Sequence, residues 1–256
     1  MRSSRFERPA RPIGVSHARN GDKELSTALV KDVLTDGSED AIGVERELAL
    51  HYAPAGRRAA LAAVWRLDAR MRRIFVGARD PTLAQIKLAW WEERLAALAT
   101  DAAPAEPLLR ALAPVAVDDA AAANLAAIAG GWRELNVPPW SEQEAYAHAR
   151  VRGRGLIASA AQALSAEASE VQMLAGEAYA LGDLAELASD QNARAMLREA
   201  AEARFASAGS AAWPRGLRPM GMIVGLSRRG LRSSRPLRHG SPARVASMAW
   251  HALTGQ

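Results

Sequence analysis

The chain has 256 residues, of which 49% are apolar and 24% charged, and it contains no cysteine. That composition argues against wholesale disorder and excludes disulfides, thiolate metal sites and a cysteine nucleophile. The formal net charge is +5, and it is unevenly placed, because nine of the 33 basic residues and none of the 28 acidic ones follow Glu202.

Residues 1–44 are rich in Arg, Pro, Gly, Asp and Ser and show no sustained apolar face. Met1-Arg2-Ser3-Ser4-Arg5 has the look of a transit peptide, but Glu7, Asp22 and Glu24 follow without an apolar stretch, so a disordered or irregular extension is expected. From residue 45 to residue 256 the chain reads as one helical domain, rich in Ala and Leu, and alanine loses no side-chain entropy in a helix. Pro54 opens a helix running to about Val76, since proline is tolerated in a first turn. Pro81 opens the next, along which Leu83, Ile86, Trp90, Trp91, Leu95 and Leu98 recur at helical spacing. Pro104 and Pro107 mark a connection. Asp118 and Asp119 lead an alanine-rich helix ending near Asn136, placed to complement its dipole. Ser141 and Glu144 form a capping-box pattern for the helix after it. Gly153 and Gly155 loosen the chain ahead of Leu156 to Leu164. Long helices are expected from about Ala168 to Ala188 and from Ala193 to Ala206, with shorter ones near Leu217 to Leu226 and Pro242 to Leu253. The expected fold is all-α, a single helical bundle.

Few residues carry obvious chemistry. His17, His51, His148, His239 and His251 are scattered without metal-ligand spacing. Asp36 and Asp40 are four apart but sit in the extension, and neither a nucleophile elbow nor a phosphate-cradling glycine loop is present. Arg204, Arg215, Arg218, Arg228, Arg229, Arg232, Arg235, Arg238 and Arg244 make the C-terminal region strongly basic. Such a surface suits a protein partner or an anionic membrane. No aromatic platform or nucleic-acid motif accompanies it, so nucleic acid is not expected. No run approaches the roughly 20 apolar residues that span a bilayer, and a cytoplasmic protein, peripheral to the membrane at most, is expected.

Four segments together resemble the squalene/phytoene synthase family of head-to-head prenyl transferases. They are Lys87-Leu88-Ala89-Trp90-Trp91-Glu92-Glu93-Arg94-Leu95, the stretch from Arg58 to Leu67, Glu144-Ala145-Tyr146-Ala147 with Gly153 and Gly155, and Gly176-Glu177-Ala178-Tyr179-Ala180-Leu181. The resemblance covers about residues 45–256 and implies a helical bundle of the isoprenoid synthase type. It also implies a chemistry in which magnesium, held by aspartates on two facing helices, neutralises a departing diphosphate, while an apolar cavity shields the carbocation.

The sequence departs from that pattern at both aspartate-rich motifs. The first falls on Arg72, Arg73 and Val76, with Asp68 the one acid nearby and outside the motif; the second falls on Leu187 and Gln191. Two guanidiniums in place of two carboxylates repel a cluster of divalent cations. Asp183, Glu186 and Asp190 are spaced to share a helix face, as a weak single-metal site or as a salt-bridged surface. If the fold holds, the Arg70 to Arg73 region faces Asp183 to Asp190, and arginine–carboxylate bridges take the place of the magnesium–diphosphate layer. Arg72, Arg73, Asp183, Glu186 and Asp190 are therefore the residues expected at the former diphosphate site, with no metal and no cofactor. Both tryptophans of the pair are expected to pack between helices, and a pocket lined by Trp65, Leu88 and Leu184 would mark a surviving substrate cavity. The implied function is a pseudoenzyme, a non-catalytic binding or assembly factor. A mitochondrial relative that serves respiratory complex I assembly is the precedent. The alternative is an active prenyl transferase that condenses isoprenoid diphosphates with magnesium.

Overall fold

The computed structural model describes residues 42–101, 105–209, 212–233 and 238–255. Of two compact units, Met1–Gly37 and Ser38–Gln256, these all belong to the second. The expected extension up to residue 41, with Asp36, Asp40 and His17, lies outside the described residues, as do Pro104 and Arg235.

The described residues are helical, with no strand among them. Helix α1 (Val44–Leu50) is followed by a 3-10 turn at Ala55–Arg57 that leads into α2 (Arg58–Val76). Asp80 caps α3 (Pro81–Ala96) through Thr82 N–H, and Glu106 caps the short α4 (Pro107–Leu112) through Leu109 N–H. Asp118 accepts from Ala121 N–H at the start of α5 (Asp119–Arg133), so the Asp pair supplies a cap as well as a favourable charge. The capping box of Ser141 and Glu144 starts α6 (Glu142–His148). A π-helical turn, Ala149–Gly153, joins α6 to α7 (Arg154–Leu164). Helices α8 (Glu170–Leu187) and α9 (Gln191–Ala208) form a tight hairpin, and α10 (Arg218–Arg232) and α11 (Pro242–Thr254) close the chain.

Helix α2 packs against α3, α4, α5 and α7, while α8 packs on α7, α9, α10 and the π turn. Trp65, Leu67, Met71, Leu88, Leu95, Ile128, Trp132, Leu181 and Leu184 sit in one continuous core with no exposed surface. The tryptophan pair behaves differently from expectation. Trp91 is buried, but Trp90 is 41% exposed and meets Trp91 edge-on. The inward face of α3 is Ala84, Leu88, Trp91 and Leu95, whereas Leu83 and Ile86 point outward. The apolar residues cover more than half the helix circumference, so spacing alone did not select the buried stripe.

Gly153 and Gly155 do not loosen the chain. A Cβ on Gly153 would lie 2.5 Å from the Gly176 carbonyl oxygen, and one on Gly176 would lie 2.6 Å from that of Gly153. Two glycines thus let the π turn and α8 touch backbone to backbone, closer than any side chain permits. This contact sets Arg152, the residue before Gly153, against the middle of α8.

Candidate functional site

The centre of the bundle holds a buried ionic network drawn from four segments. Asp68 on α2 is 1% exposed. Its carboxylate accepts from Arg152 Nε at 2.8 Å and Nη2 at 3.1 Å, and from Arg46 Nη2 on α1 at 2.6 Å. The fork of Arg152 on Asp68 is bidentate, the geometry that makes guanidinium–carboxylate pairs strong. Arg46 also donates to Tyr179 Oη at 2.7 Å and to the Trp65 carbonyl at 3.3 Å. Asp183, one helical turn after Tyr179 on α8, lies 2.9 Å from Arg152 Nη2 and 3.3 Å from Arg72 Nε. The guanidinium of Arg152, with no exposed side-chain surface, stands 4.6 Å over the Trp132 ring. That cation–π contact offsets part of the cost of Arg152 Nη1, which is buried without a hydrogen bond.

Burial alone would raise the Asp68 carboxyl, but Arg152 and Arg46 together hold it well below the usual carboxylate range. Burial pushes the Tyr179 phenol up, and it stays neutral. His148 stands beside the network with Nδ1 2.8 Å from the Gly131 carbonyl and its ring edge-on to Trp132. Burial, reinforced by the Arg152 charge, lowers it from 6.5 to about 3, so it too is neutral and donates from Nδ1.

The residues expected at the former diphosphate site part company here. Arg72 and Asp183 meet across α2 and α8, as the expected bridge requires. Arg73 is exposed, one position round α2 from Arg72. Arg70 turns the other way, 3.7 Å from Glu106 and over the Trp91 ring. Glu186 is exposed on the last turn of α8. Asp190 is not on that helix face at all. Helix α8 ends at Leu187, Ala188 turns extended, and Asp190 caps α9 by accepting from Ala193 N–H at 2.8 Å. The three acids therefore form neither a shared face nor a metal-binding cluster, and among the described residues no group of three His, Asp or Glu is arranged to hold a metal.

The donor set does not fit magnesium. Hard cations need free carboxylate oxygens, and the oxygens of Asp68 and Asp183 are turned to three guanidiniums. An added divalent cation would meet three positive charges and two negative ones. Nor do the three residues expected to mark a surviving cavity line one. Trp65, Leu88 and Leu184 present no surface to a water-sized sphere, from outside or from within, and two surface clefts of about 400 Å³ are lined by other residues.

Arg46 and Arg152 are the network residues that reading the sequence for motifs passes over, while Asp68, set outside the first motif, and Tyr179, inside a resembling segment, were given no role. Asp68 and Arg72 are four apart on α2, and Tyr179 and Asp183 are four apart on α8, so each helix sends two polar groups inward from one face. That spacing was the available signal. No family model, no curated protein and no solved structure matches the chain, so the resemblance to prenyl transferases rests on its sequence segments. No described helix is long and apolar enough to cross a membrane.

Proposed function

We propose that the chain is a non-catalytic protein of the squalene/phytoene synthase type that acts as a binding or assembly factor. The observation that carries this is the pairing of Asp68, by hydrogen bonds, and of Asp183, by ion-pair contact, with Arg46, Arg72 and Arg152 at the centre of the bundle. Diphosphate departure needs a cation cluster held by free carboxylates, and these carboxylates are bound by guanidiniums of their own chain. The filled core around Trp65, Leu88 and Leu184 supports the same reading, because an isoprenoid chain needs a volume to occupy. Assembly of respiratory complex I is the particular role for which the resemblance offers a precedent. A protein partner or an anionic membrane would be met through the arginines that stay exposed in the C-terminal region, among them Arg215, Arg229, Arg232 and Arg238.

The test is incubation of the purified protein with farnesyl or geranylgeranyl diphosphate and magnesium, with released diphosphate as the readout. No release above the protein-free rate is expected. Turnover that disappears in Arg72→Ala would overturn the proposal and make the protein a prenyl transferase.

A further inference from the structure

Helix α11 is docked by one face and bare on the other. Met248 and His251 are buried, and Arg244 forks onto Glu45 of α1. His239 Nδ1, at 3.2 Å, and Gly240 N–H, at 3.1 Å, meet the same carboxylate from the turn that leads into the helix. At the other end Arg218 of α10 donates to the Ala252 carbonyl at 2.7 Å. These contacts fix which side looks outward. With successive residues turned by about 100°, the outer side collects Pro242, Val245, Ala246, Ala249, Trp250 and Leu253. Trp250 is 62% exposed and Leu253 76%. No charged side chain stands among them, and the Thr254 hydroxyl at their edge turns back on the Trp250 carbonyl at 2.9 Å.

The charges beside this face are of one sign. Arg229 and Arg232 of α10 are exposed and share a cleft with Ser247 and His251, which sets them along one edge of α11. Arg238, in the turn ahead of the helix, is exposed as well. These three form no ion pair among the described residues, whereas Arg204 is paired with Glu177 at 3.2 Å and Arg244 with Glu45. Glu199 and Glu202 belong to α9, in a separate cleft on the far side of α10, and pair with none of them. A protein interface makes about one hydrogen bond per 100–200 Å², and the outer face of α11 offers a partner no side chain for one. A bilayer surface asks for none. It accepts an apolar helix face to headgroup depth, favours tryptophan at that boundary, and draws in neighbouring basic residues when its headgroups are anionic.

We infer that α11 is a membrane-contact element: Trp250 and Leu253 enter the headgroup boundary of an anionic bilayer, and Arg229, Arg232 and Arg238 meet the headgroups beside them. The inference rests on the binding reading proposed above and names its partner.

The test is flotation of the full chain with vesicles of phosphatidylcholine alone or of phosphatidylcholine and phosphatidylglycerol in equal parts. Binding to the mixed vesicles is expected, weakened by added salt, with binding to the neutral ones at least about tenfold weaker. Trp250→Ser with Leu253→Ser should weaken it at least about tenfold, and Arg229→Ser with Arg232→Ser about tenfold. All four side chains are exposed, so helix content should match wild type. Trp250→Phe should still bind but lose most of the blue shift that the vesicles cause in tryptophan fluorescence. No flotation, equal binding to neutral vesicles, or undiminished binding by either double variant would overturn the inference. So would a blue shift that persists in Trp250→Phe, by placing Trp90 at the bilayer, or a dimer in solution that Trp250→Ser with Leu253→Ser dissociates, by giving the face to a second copy. None of these outcomes bears on diphosphate release, which decides the non-catalytic reading, so the two fail separately.

Discussion

The centre of the bundle and the last turns of α10 use the same side chain to opposite ends. At the centre three arginines face two aspartates and a tyrosine, and Arg152 and Asp68 are excluded from solvent. On the last turns of α10, Arg228, Arg229 and Arg232 form no ion pair among the described residues, although Glu199 and Glu202 line a cleft with two of them. An arginine whose fork is filled by its own chain is part of the scaffold; one held in place without a counter-charge has binding capacity left over. Positive charge in a sequence therefore says little until the acids around it are located. In this chain they are located by distant segments, with Asp68 lying 84 residues from Arg152.

The largest expected effect tests whether the centre is a closed scaffold. Asp68→Asn removes the charge that compensates Arg46 and Arg152 while nearly preserving shape. Breaking a buried pair from one side leaves an uncompensated charge and costs about 3–5 kcal/mol. For a helical unit of this size that corresponds to a melting temperature lower by about 6–20 °C. Chemical denaturation of wild type and variant measures it. A loss below about 1 kcal/mol would mean that water reaches these groups and that the contrast with α10 is one of degree.

Sequence reading located the helices well and the network only in part. Helix starts were legible because their signals are local. Pro81, the Asp118 cap and the Ser141–Glu144 box act within one turn. The outward turn of Trp90 was not legible, because α3 is apolar around much of its surface and its buried face is decided by α5. Asp190 was misplaced because the helical spacing of Asp183 and Glu186 was extended beyond the helix end expected at Ala188; the helix does end there, and the acid serves as the next cap. Arg72 and Asp183 could be paired from their positions in the resemblance. Arg152 could not, since its inward orientation depends on a π turn and on the contact of Gly153 with Gly176.

A second effect, smaller and tuned by pH, sharpens the description of the centre. His148 is neutral in the fold, lowered to about 3 first by burial and then by Arg152, with Asp183 and Asp68 opposing. In the unfolded chain it takes a proton near 6.5, so the unfolded state binds more protons below that pH. The contribution of His148 is thus complete above about pH 6.5 and is lost as pH falls toward 3, amounting to about 2 kcal/mol by pH 5. The depressed carboxylates act lower. Burial would raise Glu45, but its bonds from His239, Arg244 and Gly240 N–H bring it from 4.5 to about 2, so its contribution is lost below about pH 4.5. Stability measured between pH 6.5 and 4.5 should therefore slope in wild type and flatten in His148→Phe. A flat wild-type profile would mean that His148 is protonated in the fold, drawn by Asp68 and Asp183 rather than repelled by Arg152.

The smallest effect falls on the end of α10, and its sign is the informative part. Arg228 and Arg232 are one turn apart on α10, where like charges oppose the helix by about 0.2–0.5 kcal/mol. Burial and then Arg232 lower the readiness of Arg228 to hold its charge. Replacing Arg229 and Arg232 with serine removes no ion pair among the described residues, so stability should stay within about 0.5 kcal/mol of wild type, with any change toward greater stability at low salt. Raising ionic strength should narrow the difference, because exposed charges are screened over about 10 Å at 0.1 M salt. Thermal melts of the double variant and wild type at low and high salt provide the comparison. A loss of more than about 1 kcal/mol would show that these two arginines hold the fold together as Arg204 and Arg244 do, and the division between scaffold and binding arginines would then have to be drawn elsewhere.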